Sequence, residues 1–414
     1  MGSTTRDDIY ILPEATAASL ILTHPTEDEK RRTWTLNHKE WGGALTLQEY
    51  LKREPYLTTV PLSRDGGMTH WILTDSSWTV ENGGDRPVLA SCESISKRVL
   101  VASPNDTTVR EGIGHGVGSV FTYPEFRGYR YAGRMLNELG PALRKWRTEI
   151  HNGQDAICSA LWSDIGKAYY AKKGWAPFPS LHAEFSVPNN QTPDNDEQTN
   201  GKGNVAPVTY DNLESLCAQD EQLLREKILR SAKETGRTSV AFAPDHDTLR
   251  WHLFREDFIA AILFKSTPQQ ADVMTCIKGA LAGSEGRRVW ALWSRNYYGG
   301  KGSPADNVAK NTLYILRLVI EPEEKEEKEG EPSEDILTAF TAVMQTALRE
   351  AKTWHLGKVD LWNPTPVVKR LIERSGLQHG WVDRDEESIP SMMWYGDEDV
   401  REIEWVVNEK YCWC

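Results

Sequence analysis

A pair of arginines around a glycine, Arg127-Gly128-Tyr129-Arg130, runs through Tyr131 and Ala132 into Gly133, where the apolar pattern of the chain changes period. Residues of these types suit a phosphorylated ligand. Before the turn, His115, Val117, Ser119 and Phe121 alternate with Gly116, Gly118, Val120 and Thr122, the period of a strand. Pro124 lacks a backbone donor and ends the pairing. After the turn, Met135, Leu136, Leu139, Ala142 and Leu143 fall on one helical face. The turn therefore stands at a helix N-terminus, where backbone N–H groups lack intrahelical partners and the dipole is positive. A pyrophosphate bound there needs no metal.

This stretch resembles motif A of the GNAT superfamily of acetyl-CoA-dependent N-acetyltransferases, whose turn reads Arg/Gln-x-x-Gly-x-Gly/Ala. Arg127, Gly128 and Ala132 fit, Pro124 and Phe126 fit the approach, and Arg130 stands where glycine is usual. A second stretch, Ser163 to Trp175 after the apolar strand Ala156 to Trp162, resembles motif B. Tyr170, Gly174 and Trp175 take the positions of its Tyr-x-x-x-Gly-Phe ending, and Ser163 takes the place of an asparagine that faces pantetheine in many members. The resemblance implies acetyl-CoA as cosubstrate. It implies that Tyr170 protonates the leaving thiolate and that backbone N–H groups of Val120, Phe121 and Thr122 hold the oxyanion.

An alkyl ammonium acceptor has a pKa near 10.4, so reaching its free amine at neutral pH costs about 4–5 kcal/mol. A base must take that proton. The first candidate is His115, about one residue from where several GNAT members carry a catalytic glutamate, and the second is Glu93, at the end of the adjacent strand. The chain has no Gly-x-Ser-x-Gly elbow, which favours direct attack over an acyl-enzyme. Asp245-His246-Asp247 with Trp251 and His252 is read as an acceptor wall, and Trp41, between the first two helices, as another part of it. The Asp-His-Asp run packs its donors too closely for a usual metal site, so no metal is expected. Cys414, in an aromatic ending, is a further candidate to bind the acceptor, its carboxylate acting as base or cation anchor.

Composition sets the frame for these residues. The 414 residues exceed one ordinary core, and 39% apolar content is enough for two. A net charge of −12 argues against nucleic acid and anionic membranes and suits a cationic small molecule. No apolar run reaches the ~20 residues of a membrane span. With scattered cysteines and no signal peptide, a cytoplasmic protein with reduced thiols is expected.

The elements expected in the first half are strands at 9–12, 20–22, 70–75, 87–93 and 183–187 and helices at 28–37 and 46–54, with a turn at Asn82-Gly83-Gly84-Asp85. Residues 188–204 carry no apolar anchor and read as a linker. The second half reads as helices at 211–234, 248–264, 335–353 and 367–375 with strands at 273–281, 288–294, 312–320, 358–362 and 389–395. That order repeats the first half, but the acidic run Glu321 to Glu327 replaces the phosphate turn. The expected fold is therefore α/β with mixed sheets: a GNAT domain at 1–187 and a degenerate GNAT-like domain at 205–414 without a cofactor of its own.

Trp41-Gly42-Gly43-Ala44-Leu45, Ser91-Cys92-Glu93, Pro244-Asp245-His246-Asp247 and the ending Asn408-Glu409-Lys410-Tyr411-Cys412-Trp413-Cys414 resemble the fungal lysine N6-acetyltransferase family over essentially the whole chain. The implied reaction is acetyl transfer to the side-chain amine of L-lysine, in lysine degradation. Transfer to another amine (a polyamine, a protein lysine or a secondary metabolite) and a noncatalytic acyl-CoA-binding module are the alternatives; the sequence leaves the oligomeric state open.

Overall fold

The computed structural model describes residues 11–78, 86–187, 205–265, 276–299, 304–321 and 331–414. The first half gives β1 (Leu20–Thr23), α1 (Glu27–Trp41), α2 (Leu47–Leu57), β2 (Met68–Asp75), β3 (Ala90–Ala102) and β4 (Arg110–Phe121). These are followed by α3 (Tyr131–Lys145), β5 (Cys158–Ser163), α4 (Ala168–Ala171), β6 (Ala176–Pro177) and β7 (Leu181–Ser186). The second half gives β8 (Ala206–Val208), α5 (Tyr210–Thr235), β9 (Ser239–Phe242), α6 (His246–Leu263), β10 (Gly279–Ala282), β11 (Val289–Asn296) and β12 (Thr312–Ile320). It ends with α7 (Glu334–Thr353), β13 (Lys358–Trp362), α8 (Pro366–Arg374), β14 (His379–Asp383), β15 (Ile389–Trp394) and β16 (Glu404–Trp405).

Local signals account for many of the boundaries. Thr26 and Thr46 each close a reciprocal capping box, with Glu29 and Glu49 three residues on, and so fix where α1 and α2 begin. On α3 the residues Tyr131, Met135, Leu136, Leu139 and Leu143 are fully buried against the sheet, each contributing roughly 1.5–3 kcal/mol of transfer free energy. That burial anchors the helix whose N-terminus carries the arginine turn.

Among the described residues the strands form two mixed sheets. The first has the order β1-β2-β3-β4-β5-β15-β6, with β9 paired to β3 and β16 to β9; the second runs β14-β7-β13-β12-β11-β10-β8. The first sheet takes β9, β15 and β16 from the second half of the chain, and the second sheet takes β7 from the first. β7 pairs with β13 and β14 in the second sheet, and β15 pairs with β5 and β6 in the first. The expected division into 1–187 and 205–414 therefore follows the chain but not the sheets. Hydrophobic patterning reveals a strand, while its partner is chosen by register and tertiary packing.

Other corrections are local. The strand expected at 87–93 runs on to Ala102, because β4 pairs through its polar-looking SISKR stretch on one edge and β9 takes over from β2 on the other edge at Val99–Ala102. Ile11 and Leu12 lie outside any strand, and β9 and β14 were not foreseen. The turn at 82–85, the segment 188–204 and most of the acidic run lie outside the described residues. All six cysteines are free thiols. No described helix is long and apolar enough to cross a membrane.

Candidate active site

The site begins where two parallel strands part. β4 pairs with β5 from Gly114 opposite Cys158 to Val117 opposite Leu161. β5 then continues to Ser163 along β15, while β4 continues to Phe121 along β3. The β3–β4 register slips between Ser91 and Glu93, so Ser119 and Val120 together stand opposite Cys92. Ser119 takes a left-handed conformation at φ 53°, as a bulge residue does. The bend directs the last residues of β4 away from β5 and opens a wedge. Backbone groups of Gly118 to Phe121 have no register partner on β5, which leaves them for a ligand.

At the far end of the wedge the arginine turn forms the N-terminus of α3. Gly128 has φ +90°, and a Cβ added there would meet nothing within 4 Å, so glycine is required by conformation rather than by space. Arg130 is the helix cap at φ 67°, ψ 20°, and its side chain makes no capping hydrogen bond. The place where glycine is usual is thus a left-handed position occupied by an arginine. Arg127, Gly128, Tyr129 and Arg130 are exposed; Tyr129 stacks on Tyr131 at 5.7 Å, and Arg127 Nε donates to the Thr122 carbonyl at 3.2 Å. Ala132 and Gly133 form the first turn. A third cation, missed in the sequence, joins them: a Cβ on Gly133 would lie 3.2 Å from Lys173 Nζ. The Lys172-Lys173 pair after Tyr170 was its signal. An uncapped helix start, a positive-φ glycine and three cations fit a pyrophosphate.

Tyr170 lies on α4, in one core cluster with Tyr131, Val117 and Cys92 on the α3 side of the first sheet. Burial, then the neighbouring Tyr169, pushes its phenol far up, so it carries its proton throughout the physiological range. Ser163 Oγ donates to the Gly166 carbonyl at 2.7 Å and accepts from Ile165 N–H at 3.3 Å. Its side chain closes the turn into α4 and is occupied there.

Glu93 pairs with Gly118, which puts both on the face of the sheet opposite Val117 and Tyr170. Ser119 Oγ donates to Glu93 at 3.1 Å, Trp34 Nε1 donates at 3.4 Å, and His70 Nε2 lies 3.3 Å away. Burial works to raise its carboxyl, but the His70 ring and the two donors outweigh it and hold Glu93 below the usual carboxylate range. On the same face lies Cys414. A Cβ at Gly116 would stand 2.9 Å from its Sγ, and one at Gly118 would stand 3.4 Å from its backbone oxygen. Gly116 is needed for this close approach, while a Cβ at Gly118 would make ordinary contact. Burial, before any neighbouring charge, pushes the Cys414 thiol up to about 11.

The segment leading to Cys414 is held from both sides. Lys97 Nζ donates to the carbonyls of Cys412 at 2.8 Å and Trp413 at 2.9 Å, and His252 Nε2 donates to that of Tyr411 at 3.0 Å. Burial, then Lys97, drives the His252 pKa well below its ordinary value, so the ring is neutral. Trp251 is buried against Ile95 and meets Trp413 at 6.3 Å. Trp41 meets Phe121 edge-on at 5.8 Å, placing the end of α1 at the end of β4.

Two sequence candidates are placed elsewhere. His115 is fully buried and pairs with Ser96, whose Oγ lies 3.3 Å from Nδ1; strand alternation puts it with Val117 on the α3 face, opposite Glu93. Asp245 accepts the Thr248 N–H at 2.8 Å as the cap of α6 and faces Arg98 at 3.6 Å. It thereby places His246 beside Arg98, five positions along β3 from Glu93. The Asp-His-Asp run is the start of a helix, and only Trp251 and His252, a turn further on, reach the segment that ends at Cys414.

The second sheet has an equivalent parting. β12 and β13 pair from Thr312–Lys358 to Ile315–Leu361, and a bulge follows on the β11 side. Here Glu409 fills the place: one oxygen accepts the Leu318 N–H at 2.9 Å, and the other pairs with Arg317, which also binds Asp220. Glu321, the one described residue of the acidic run, is itself paired with Arg288.

Residues 188–414 match the family model described as the LYC1 GNAT-like C-terminal domain. A Saccharomyces cerevisiae relative, "Uncharacterized protein YGR111W", is 23% identical, the match covering 93% of this chain and 95% of the relative. A "Lysine acetyltransferase" of Yarrowia lipolytica is 24% identical, covering 94% and 98%. Among solved structures, a probable N-acyltransferase from Enterococcus faecalis superposes with TM-score 0.47 at 10% identity, covering 91% of this chain and 72% of its own. Saccharomyces cerevisiae N-myristoyltransferase with bound myristoyl-CoA gives 0.49 at 8%, covering 96% and 84%.

Proposed function

The chain belongs to the family defined by the LYC1 GNAT-like C-terminal domain, and from that premise we propose that it transfers an acetyl group from acetyl-CoA to the side-chain amine of L-lysine. It is an acetyltransferase of GNAT type. The observation that carries the reading is the wedge between β4 and β5, with Glu93 on one face of the sheet and Tyr170 on the other.

Acetyl-CoA supplies an activated thioester; the residues supply position, protons and charge. The N-terminus of α3 with Arg127, Arg130 and Lys173 holds the pyrophosphate, and the wedge takes the pantetheine arm. Val120, Phe121 and Thr122 turn backbone donors toward the place where negative charge develops on the carbonyl oxygen. Glu93, held ionised, takes the ammonium proton directly or through a water. The amine attacks from the Glu93 face, and the thiolate departs on the α3 face, where the protonated Tyr170 hydroxyl meets it. His115 has no place in this path. Trp41, Trp251 and Cys414 wall the acceptor side, and His246 stands away from it.

The test is thiol release from acetyl-CoA by the purified chain with L-lysine, ornithine, spermidine and a lysine peptide, with the acetylated nitrogen located by mass spectrometry. Release with L-lysine and acetylation at its side chain is the expected result. Release with another amine alone would reassign the acceptor, and release with none would overturn the reading.

A further inference from the structure

A second polar cluster lies on the inner face of the second sheet, and the transfer step does not use it. Val359 and Leu361 of β13 point into the core under α7, so Asp360 and Trp362 point the other way, toward the segment that ends at Cys414. Lys410 enters this face from that segment. Its ammonium stands 4.4 Å from the centre of the Tyr314 ring, 4.2 Å from Trp362 and 4.1 Å from Trp413, and the residue is 4% exposed. Among the described residues it has ring faces around it but no hydrogen-bond acceptor or ion pair.

Arg384 stacks on the same Trp362 ring at 4.0 Å. Its Nε donates to the Ser388 carbonyl at 3.1 Å and its Nη1 to His182 Nδ1 at 3.3 Å, while Nη2 is buried without a partner. Asp360, 3% exposed, has Oδ2 at 3.4 Å from Lys358 Nζ, and its Oδ1 is buried without a partner. One face thus presents an unmatched carboxylate oxygen, an unmatched guanidinium nitrogen and a caged ammonium. Buried polar groups are ordinarily satisfied, and a cluster that offers a free acceptor oxygen beside free cationic donors is complementary to a molecule that carries both an ammonium and a carboxylate.

We infer that Asp360, Arg384 and Lys410 bind the ammonium and carboxylate head of a free α-amino acid acceptor, with Asp360 taking the ammonium and Arg384 or Lys410 the carboxylate. The subsite deepens the acetyltransferase reading and rests on it. Burial, then Arg255 and Arg384, holds the Lys410 pKa well below its ordinary value, and burial, against Lys358, raises Asp360 to about 6; a bound carboxylate and a bound ammonium would each favour the charged form of its partner. The connection to the transfer point is short. Trp413 forms one wall of the Lys410 cage, and the next residue, Cys414, rests on Gly118, the register partner of Glu93. Four residues of chain put the Cα atoms of Lys410 and Cys414 at most about 14 Å apart, so the cage and the transfer point belong to one neighbourhood. A peptide lysine lacks both charges of the head, and a polyamine lacks the carboxylate.

The experiment compares kcat/KM of the full chain for L-lysine, 1,5-diaminopentane, which lacks the carboxylate, and 6-aminohexanoate, which lacks the α-ammonium. The wild type prefers lysine to either by about tenfold or more, as loss of one charge-assisted contact implies. Asp360→Asn, nearly isosteric, loses more with lysine than with 6-aminohexanoate, and through KM. Lys410→Met and Arg384→Gln lose more with lysine than with 1,5-diaminopentane. Thermal stabilisation by acetyl-CoA checks that each variant is folded; if Lys410→Met is not, Asp360→Asn alone decides. Equal efficiency of the wild type with all three amines, or equal losses in the variants, would overturn the subsite and leave the acetyltransferase reading intact. Turnover of none of them by the wild type would overturn both.

Discussion

The Glu409 carboxylate accepts the backbone N–H of Leu318 at 2.9 Å, at the point of the second sheet that corresponds to Val120 in the first. The protein's own side chain occupies the parting of one sheet, while the parting of the other is left for a ligand. Glu409→Ala removes a carboxylate from a buried network with Arg317 and Asp220, and should destabilise the chain by about 3–5 kcal/mol. Denaturant unfolding monitored by tryptophan fluorescence measures it; a loss below 1 kcal/mol would mean that Glu409 is not the plug described.

Glu93→Gln should lower kcat by roughly 10²–10⁴ while leaving acetyl-CoA binding intact. Because the folded environment lowers the Glu93 pKa, the group is ionised down to a pH below the ordinary glutamate value of about 4.3. Its own acidic limb in the pH–rate profile should therefore lie below that value. A limb attributable to Glu93 near pH 6 would contradict the hydrogen bonding from Ser119 and Trp34.

For Tyr170→Phe, the expected result is a drop of about 10²-fold or more in kcat with the affinity for CoA unchanged. Burial keeps the hydroxyl protonated far above neutrality, so no loss of rate from Tyr170 ionisation should appear below pH 9. Equal turnover by the variant removes Tyr170 from the mechanism.

Arg130→Gly should act in two directions at once. The left-handed position at φ 67° suits glycine, so the folded chain gains up to about 1 kcal/mol in thermal unfolding. The lost cation should weaken CoA about tenfold by calorimetry, as should Lys173→Ala. Unchanged CoA affinity in both would place the phosphates elsewhere.

Gly116→Val introduces a side chain where even a Cβ lies 2.9 Å from Cys414 Sγ and 3.1 Å from Cys414 Cβ. The segment from Lys410 onward must shift. Turnover should fall by about tenfold or more, with little change in CoA affinity, because the phosphate turn lies on the opposite face. Parallel loss of CoA binding would show that the whole strand had moved instead.

The elements nearest the cofactor were legible because local rules dictate them. The arginine turn and α3 follow from period, proline and glycine placement, α4 from the resemblance of Ser163 to Trp175 to motif B, and β12 and β13 have the same residues in sequence and structure. The acceptor side was not legible in the same way. Glu93 and His115 are both candidate bases in the sequence, and only the register shows that they lie on opposite faces of one sheet. His246 is read from the Asp-His-Asp run as part of an acceptor wall, and the sequence does not show that its neighbour Asp245 caps a helix. The sequence holds 16 tryptophans, and in three dimensions Trp354, Trp362 and Trp413 carry the buried cations Arg295, Arg384 and Lys410 on their faces.

The exchange of β7 and β15 between the sheets has a consequence for biosynthesis. When β5 leaves the ribosome, its neighbour β15 has not yet been made, and that edge must wait, unpaired, through the emergence of nearly the entire second half. β7 waits likewise for β13 and β14. Nascent chains of this protein therefore expose two sheet edges over a long interval of translation, a liability that chaperone binding or slow early collapse must cover. Neither half holds all the strands of its own sheet, and separating them should cost the activity.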